Sequence, residues 1–265
     1  MKRQLLSILG VLLLAGCATQ GGGGVSTESN IQRPVSELPA TNERQAGAKI
    51  HVDLGTAYFK AGRFGVALDE ARVAQAFDPA YAPVYHLFGQ IYMYLDDKLA
   101  ARENLERAAN LAPGDPEINN TYGWFLCASG EEQAGIERLV RVVRNPYYRT
   151  PTRPYTNAGL CYLRLKDDQA AERQFLLAVQ TDPSNTLALY HLASLAYQRG
   201  AYDVANGYLQ NLQQQAVPTA ESLLLGARIA RKLGNQENEA SFATQLRSRF
   251  PTSKEYEIYS KEKSR

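Results

Sequence analysis

The sequence is poor in the residues that most often carry chemistry. Its 265 residues include only three cysteines, three histidines and one tryptophan. Three cysteines are too few for a disulfide-rich scaffold, and His51, His86 and His191 provide no pair at metal-ligand spacing on one helix face. There is no glycine-rich phosphate loop before a helix and no nucleophile elbow. We therefore expect neither an enzyme nor a site for a metal or a cofactor.

An excess of charge of either sign is also missing. The formal net charge is +2, and removal of residues 1–16 leaves 27 basic and 27 acidic residues. Lysine and arginine form no obvious stripe along the sequence, which argues against nucleic acid as a partner.

Long hydrophobic runs are absent except at the start of the chain. Lys2 and Arg3 precede a mostly apolar run of about eleven residues, Leu5 to Ala15, whereas a membrane-spanning helix needs ~20. A short cationic start, a short apolar run and small residues describe an export signal. The following Leu14-Ala15-Gly16-Cys17 resembles the lipobox of bacterial lipoproteins. That resemblance implies cleavage after residue 16 and acylation of Cys17, the one covalent group that we expect.

Residues 17–46 follow the signal and are rich in Gly, Ser, Thr, Asn and Pro. Because such a segment buries little apolar surface, we expect a flexible linker with an average reach of about 30 Å. Ala18, rather than aspartate, follows Cys17. By resemblance to the Gram-negative sorting rule, this implies an outer-membrane lipoprotein that faces the periplasm, held by its lipid alone.

The rest of the chain repeats itself. Gly55, Gly89, Gly123 and Gly159 are spaced by 34, 34 and 36 residues, and a second series of small residues begins at Ala67 and keeps nearly the same step. A period of 34 is typical of tetratricopeptide repeats, each a pair of amphipathic helices. The sequence thus predicts an all-α solenoid.

Six units follow from the phase of the repeat: residues 48–81, 82–115, 116–149, 152–185, 186–219 and 220–252, within a repeat region of 47–252 and before a tail of 253–265. The sixth unit is degenerate, as suits a terminal cap. Small residues at positions 8 and 20 let the two helices of a unit approach closely. Gly62, Gly130 and Gly200 are placed where a left-handed residue ends the first helix.

The insertion before the fourth unit reads "NPYYRTPTRPY", Asn145 to Tyr155. Its prolines predict an irregular exposed loop. Tyr147, Tyr148, Arg149 and Arg153 form either a contact patch or only part of a connector.

Cys127 and Cys161 lie one repeat apart on the first helices of the third and fourth units. In an oxidising compartment they either form a disulfide or remain two separately buried small side chains.

The first helix of each unit lines the concave face of such a solenoid. The residues at positions 2, 5, 9, 12 and 13 of the unit usually point there. An apolar floor of this kind indicates a protein-binding groove, most simply for an amphipathic helix, unless packing between repeats buries these side chains. The candidate groove residues are Val52, Thr56, Phe59, Lys60, His86, Gln90, Met93, Tyr94 and Trp124.

The lipobox, the glycine linker and the six repeats together resemble the type IV pilus pilotins of the PilF/PilW family. Segments such as "NNTYGWFLCASGEEQAG" and "PYTNAGLCYLRLKDDQAAERQFLLAV" carry the likeness, which extends from Cys17 to about Pro251. The resemblance implies a monomeric lipoprotein without catalytic activity. It would bind subunits of the pilus secretin and promote their outer-membrane localisation and multimer assembly, for pilus biogenesis and twitching motility. A repeat-containing lipoprotein scaffold for β-barrel assembly or for cell-wall enzymes is the alternative.

Overall fold

The structure is a computed structural model that describes residues 32–263. The signal segment, Cys17 and the first part of the predicted linker lie outside the described residues. Between Gln32 and Lys263 the chain contains helices and turns but no strand. The helices are α1 Glu43–Lys60, α2 Phe64–Phe77, α3 Ala82–Tyr94, α4 Lys98–Leu111, α5 Pro116–Ala128, α6 Glu132–Val143, α7 Thr152–Arg164, α8 Asp168–Thr181, α9 Thr186–Gln198, α10 Tyr202–Gln215, α11 Ala220–Lys232, α12 Gln236–Arg249 and α13 Lys254–Lys263.

Helices α1 to α12 form six consecutive pairs that match the predicted units. Each odd-numbered helix packs on the even-numbered helix that follows it, and α1, α3, α5 and α7 also contact one another in order. The all-α solenoid of tetratricopeptide repeats is therefore confirmed. No helix within residues 32–263 combines the length and the apolar character needed to cross a bilayer.

The close approach within a unit is clearest in the third pair. A Cβ on Gly123 would lie 3.0 Å from the carbonyl oxygen of Gly135, and a Cβ on Gly135 would lie 2.5 Å from the carbonyl oxygen of Gly123. Positions 8 and 20 thus meet backbone to backbone, as the pattern of small residues predicted.

A residue with positive φ ends the first helix of every unit. Gly62, Gly130 and Gly200 have φ of 73°, 91° and 83°, as predicted. The equivalent positions in the second and fourth units are Asp96 and Lys166, with φ of 57° and 60°. The geometry of the turn is therefore kept even where the chain lacks the glycine that adopts it at least cost.

The core consists of successive clusters along the solenoid, and some of its largest members repeat with the units. Leu105, Leu139, Phe175 and Leu209, each at the same place in the second helix of a unit, are essentially inaccessible to solvent. Side-chain caps begin several helices, as at Asp97, which accepts from the backbone amide of Ala100. Repeated packing with repeated caps keeps the helix pairs in register.

Three parts of the chain differ from expectation. The flexible linker was predicted to reach residue 46, but α1 already begins at Glu43 and the preceding residues pack on the repeats. We call residues 32–38 the strap; it contains a single 3-10 turn over Val35–Glu37, and its Pro34 is buried. For residues 32–46 the prediction was wrong, because composition does not register the hydrogen bonds that the repeats offer to this segment.

The predicted loop from Asn145 to Tyr155 is shorter than expected and only partly exposed. Helix α7 begins at Thr152, and Pro154 occupies its first turn, where a missing amide breaks no helical hydrogen bond. The side chains of Asn145 and Tyr148 are buried.

The predicted tail is a helix in its described part. In α13, Tyr259 is buried against α11 and α12, and Glu262 pairs with Arg228 of α11. This helix covers the last repeat, the end that the degenerate sixth unit was expected to cap.

Candidate partner-binding groove

The odd-numbered helices lie side by side and present a row of cavities on one face of the solenoid. The N-terminal cavity, of about 540 Å³, lies between α1, α3 and the strap. The central cavity, of about 400 Å³, lies over α3, α5 and α7. The C-terminal cavity, of about 340 Å³, lies where α9 meets the connection from α10 to α11.

The predicted groove residues are brought together in the first two of these cavities. Their distribution is the following: Val52, Thr56, Lys60 and His86 line the N-terminal cavity, Met93 and Trp124 line the central cavity, and Phe59 and Gln90 line both.

Tyr94 is the candidate that the structure places elsewhere. It lines none of these cavities and is 65% exposed. Its ring lies 4.1 Å from that of Phe64 and 6.2 Å from that of Phe59, measured between centroids. An aromatic cluster therefore extends outward from Phe59 to Tyr94, although Lys60, at the same position of the first unit, lines the N-terminal cavity.

The three cavities join into one groove through shared residues. Phe59, Gln90 and Arg153 border both the N-terminal and the central cavity. Leu187, at the start of α9, borders both the central and the C-terminal cavity. The groove thus extends beyond Trp124 in the third repeat, the last of the predicted groove residues. It reaches the connection between the fifth and sixth repeats.

Apolar and amide side chains alternate on the floor of the central cavity. Phe59, Met93, Trp124 and Leu187 supply the apolar surface. Asn157 donates from its amide nitrogen to Asn120 Oδ1 at 3.1 Å. Apolar side chains of a partner and its polar groups would both find complementary surface in this cavity.

Arg153 and His86, which line the N-terminal cavity, each contact a polar side chain of α5. Arg153 Nη1 lies 3.2 Å from Glu117 Oε2, and His86 Nε2 lies 2.8 Å from Thr121 Oγ1. Desolvation, aided by the positive charge of Arg153, lowers the pKa of His86 to about 4, so its imidazole is neutral at pH 7. Desolvation outweighs the charge of Arg153 at Glu117 and raises the pKa of that carboxyl.

A disulfide bond joins Cys127 of α5 to Cys161 of α7 beneath the groove. The sequence left open whether these cysteines form a disulfide or are buried separately, and the structure has the disulfide. Trp124 packs on the cluster that contains both cysteines and stays half-buried. The bridge thereby fixes the two helices that form the floor of the central cavity.

The fourth repeat contributes groove residues that the sequence analysis missed. Arg153, Thr156 and Asn157 line the central cavity from α7. The prolines and the two-residue insertion led to a loop prediction here. Counting positions 2 and 5 from Thr152 gives Arg153 and Thr156, so the repeat phase itself carried the missing signal.

Among residues 32–263, no group of three or more His, Cys, Asp or Glu side chains is placed to hold a metal ion. The lining of the described part of the groove combines apolar, amide and charged side chains.

Comparison with known proteins agrees with the repeat phase. The tetratricopeptide-repeat family model matches residues 82–115 and 152–185, which are the second and fourth units. The type IV pilus assembly protein PilF of Pseudomonas aeruginosa is 25% identical over 261 residues, 98% of this chain and 99% of that protein.

Solved structures extend the likeness to three dimensions. The structure of Pseudomonas aeruginosa PilF superposes with a TM-score of 0.78 at 24% identity, over 83% of this chain and 100% of that one. PilW, described as a widely conserved type IV pilus biogenesis factor, gives 0.74 at 28% identity, over 80% of this chain and 97% of that one. The chain is thus a tetratricopeptide-repeat protein homologous to PilF and similar in structure to PilW.

Proposed function

We propose that this PilF-like chain is a lipoprotein of type IV pilus biogenesis that acts as a pilotin. It is anchored in the outer membrane by acylated Cys17, faces the periplasm and binds subunits of the pilus secretin. Binding delivers those subunits to the outer membrane and promotes their assembly into multimers. Similarity to PilF over 98% of the chain supports this role, since it includes the lipobox and linker as well as the repeats.

The observation that carries the binding role is the continuous groove. Four apolar side chains from four different repeats, Phe59, Met93, Trp124 and Leu187, line its central cavity. A solenoid presents such a surface to a partner that runs along its axis. An amphipathic segment of a secretin subunit would bury its apolar side chains on these residues and hydrogen-bond with the neighbouring amides.

The proposed role divides the chain into two tasks. The groove recognises the client, whereas the lipid determines where the complex is held. The two tasks separate because a lipid on Cys17 contributes membrane affinity without touching the repeats. A Cys17→Ser variant should therefore keep its fold and bind secretin, but the complex should be found away from the outer membrane.

Deletion of the gene tests the cellular role. We expect loss of secretin multimers from outer-membrane fractions and loss of twitching motility, both restored by the wild-type gene. Cys17→Ser should restore neither in full. Intact multimers in the deletion strain would contradict the pilotin role.

Binding by the purified protein tests the groove. Leu187→Asp places a charge in the central cavity at a side chain that is 45% exposed, so the fold should tolerate it. Phe59→Asp changes a half-buried member of the same surface. We expect each substitution to weaken secretin binding at least ten-fold, because a desolvated carboxylate would face apolar side chains of the partner.

Leu99→Asp is the matched control. Leu99 lies on α4, outside the groove cavities, and is 69% exposed. Circular dichroism checks that each variant is folded. Equal binding by folded Leu187→Asp and wild-type protein would exclude the central cavity as the secretin site.

A further inference from the structure

We propose that the surface where the strap begins binds the anionic headgroups of phospholipids. Its residues, which we call the arginine patch, are Arg33, Arg144, Tyr147 and Arg149. The strap brings Arg33 to the connector between α6 and α7, and the other three belong to that connector or end α6. The inference rests on the proposed function in one respect, namely that Cys17 carries the membrane anchor.

Contacts between distant parts of the chain assemble the patch. Asn145 donates from Nδ2 to the carbonyl oxygen of Gln32 at 2.8 Å. One residue further, the guanidinium carbon of Arg33 lies 4.9 Å from the centroid of the Tyr147 ring. Arg149 Nη2 lies 3.7 Å from Glu37 Oε2. The strap therefore meets the connector at three points, and its first described residue, Gln32, is bonded to Asn145 between the patch residues Arg144 and Tyr147.

The patch is exposed and has an excess of positive charge. The side chain of Arg149 is 82% exposed, and Tyr147 is 43% exposed. Arg33 and Arg144 are exposed as well. The sequence contains no aspartate or glutamate between Glu137 and Asp167. The carboxylate that pairs with Arg149 therefore comes from the strap, where it belongs to Glu37. Three guanidinium groups beside a half-exposed phenol suit the phosphates and the interfacial region of a bilayer.

The position of the patch relative to the anchor selects lipid as its partner. Gln32 follows Cys17 by fifteen positions, and a fully extended chain of that length spans at most about 50 Å. Whatever path those residues take, the lipid on Cys17 keeps the patch within that distance of the bilayer. Clusters of basic residues beside a membrane anchor bind anionic lipids.

Binding at the patch would orient the groove. A chain tethered at Cys17 alone can rotate freely, whereas a patch held at the headgroups fixes the α6–α7 connector against the bilayer. The strap also lines the N-terminal cavity through Ser36 and Glu37. The same segment thus links the tether, the arginine patch and the mouth of the groove.

Vesicle co-sedimentation tests the patch without a lipid anchor or a secretin. The full mature chain with Cys17→Ser is mixed with vesicles of phosphatidylcholine alone or with phosphatidylglycerol added. We expect binding only to the anionic vesicles, with a strong decline as salt rises. The combined variant Arg33→Ser, Arg144→Ser and Arg149→Ser should bind on the order of 100-fold more weakly, roughly five-fold for each arginine.

The matched control removes three exposed arginines elsewhere: Arg173→Ser, Arg247→Ser and Arg249→Ser. It should bind anionic vesicles like the parent protein. Equal losses in both triple variants would show that only net charge matters and would overturn the proposal, as would the absence of binding by the parent. A protein that binds vesicles through the patch but fails to bind secretin would remove the proposed function and leave this inference standing.

Discussion

The backbone amide of Val35 donates a hydrogen bond to Asp115 Oδ2 at 2.7 Å, across 80 residues of sequence. The other oxygen of the same carboxylate, Oδ1, accepts from the amides of Glu117 and Ile118 and so caps α5. Asp115 is 2% exposed. One buried side chain therefore begins a groove helix and also holds the strap against the repeats.

These two roles of Asp115 can be separated by substitution. In Asp115→Ser the short hydroxyl still caps α5 but no longer reaches Val35, whereas Asp115→Ala loses both contacts. We expect both variants to lose protection of the Val35 amide in hydrogen exchange. Asp115→Ala should in addition be less stable than Asp115→Ser by about 1 kcal/mol in urea unfolding. A protected Val35 amide in either variant would show that the strap is held by other contacts.

His86 predicts a dependence of stability on pH. Its pKa is about 4 in the folded chain, mainly because of desolvation, against the ordinary histidine value of 6.5. The unfolded chain therefore binds the proton more readily, so this group lowers the free energy of unfolding as pH falls from 6.5 to 4. The loss approaches about 3 kcal/mol at the lower end.

A His86→Gln variant isolates that contribution. Glutamine keeps a polar group near Thr121 and does not titrate. As pH falls from 6.5 to 4, the unfolding free energy of the wild type should fall relative to that of the variant. Above pH 7 the difference between the two should stay constant. Using the difference cancels Glu117, whose raised pKa acts in the opposite direction. Parallel curves over this range would contradict the assignment.

The disulfide between Cys127 and Cys161 should be a large contributor to stability. It closes a loop with a sequence separation of 34, which corresponds to about 3–4 kcal/mol on the chain-entropy model. In a Cys17→Ser background, reduction should lower the free energy of urea unfolding by that amount. The double variant Cys127→Ser, Cys161→Ser should not respond to reductant. A response in the double variant would point to another cause.

Lys166 is held in a left-handed conformation that glycine adopts more easily. A Lys166→Gly substitution should raise the free energy of unfolding by about 0.5–1 kcal/mol, because it removes the steric cost at a position where Gly200 serves the next repeat. Gly200→Ala, at φ of 83°, should lower it by about 1 kcal/mol. Thermal unfolding of both variants checks the opposite signs.

The repeat could be predicted from sequence because its signal is local and is copied six times. A small residue at position 8, as at Gly123, and a left-handed residue after the first helix, as at Gly62, each leave a mark at a fixed step. Eight of the nine predicted groove residues line the cavities, because their positions in the unit also recur at that step. Tyr94 did not, because its ring packs against Phe64 at the start of α2, a contact that the repeat phase does not specify.

Contacts that do not repeat escaped prediction. The strap resembles a linker in composition, and no pattern in the sequence around Val35 predicts its hydrogen bond with Asp115. Arg153 was placed in a loop because proline usually breaks helices, although the first turn of α7 accommodates Pro154. Tyr147 and Arg149 were recognised as members of a possible contact patch, but Arg33 was not, because it lies more than 100 residues away from them along the chain.

The sequence by itself determined the number of helix pairs, their phase and the face that carries the groove, because each of these follows from the period of small and apolar residues. Only the tertiary structure decided that Cys127 and Cys161 are joined, that the cavities share residues and form one groove, and that the strap folds back onto the second and third repeats. Those outcomes depend on distances between residues far apart in the chain. A periodic pattern specifies how each unit folds, but a unique contact such as Val35 with Asp115 exists only once the units have stacked.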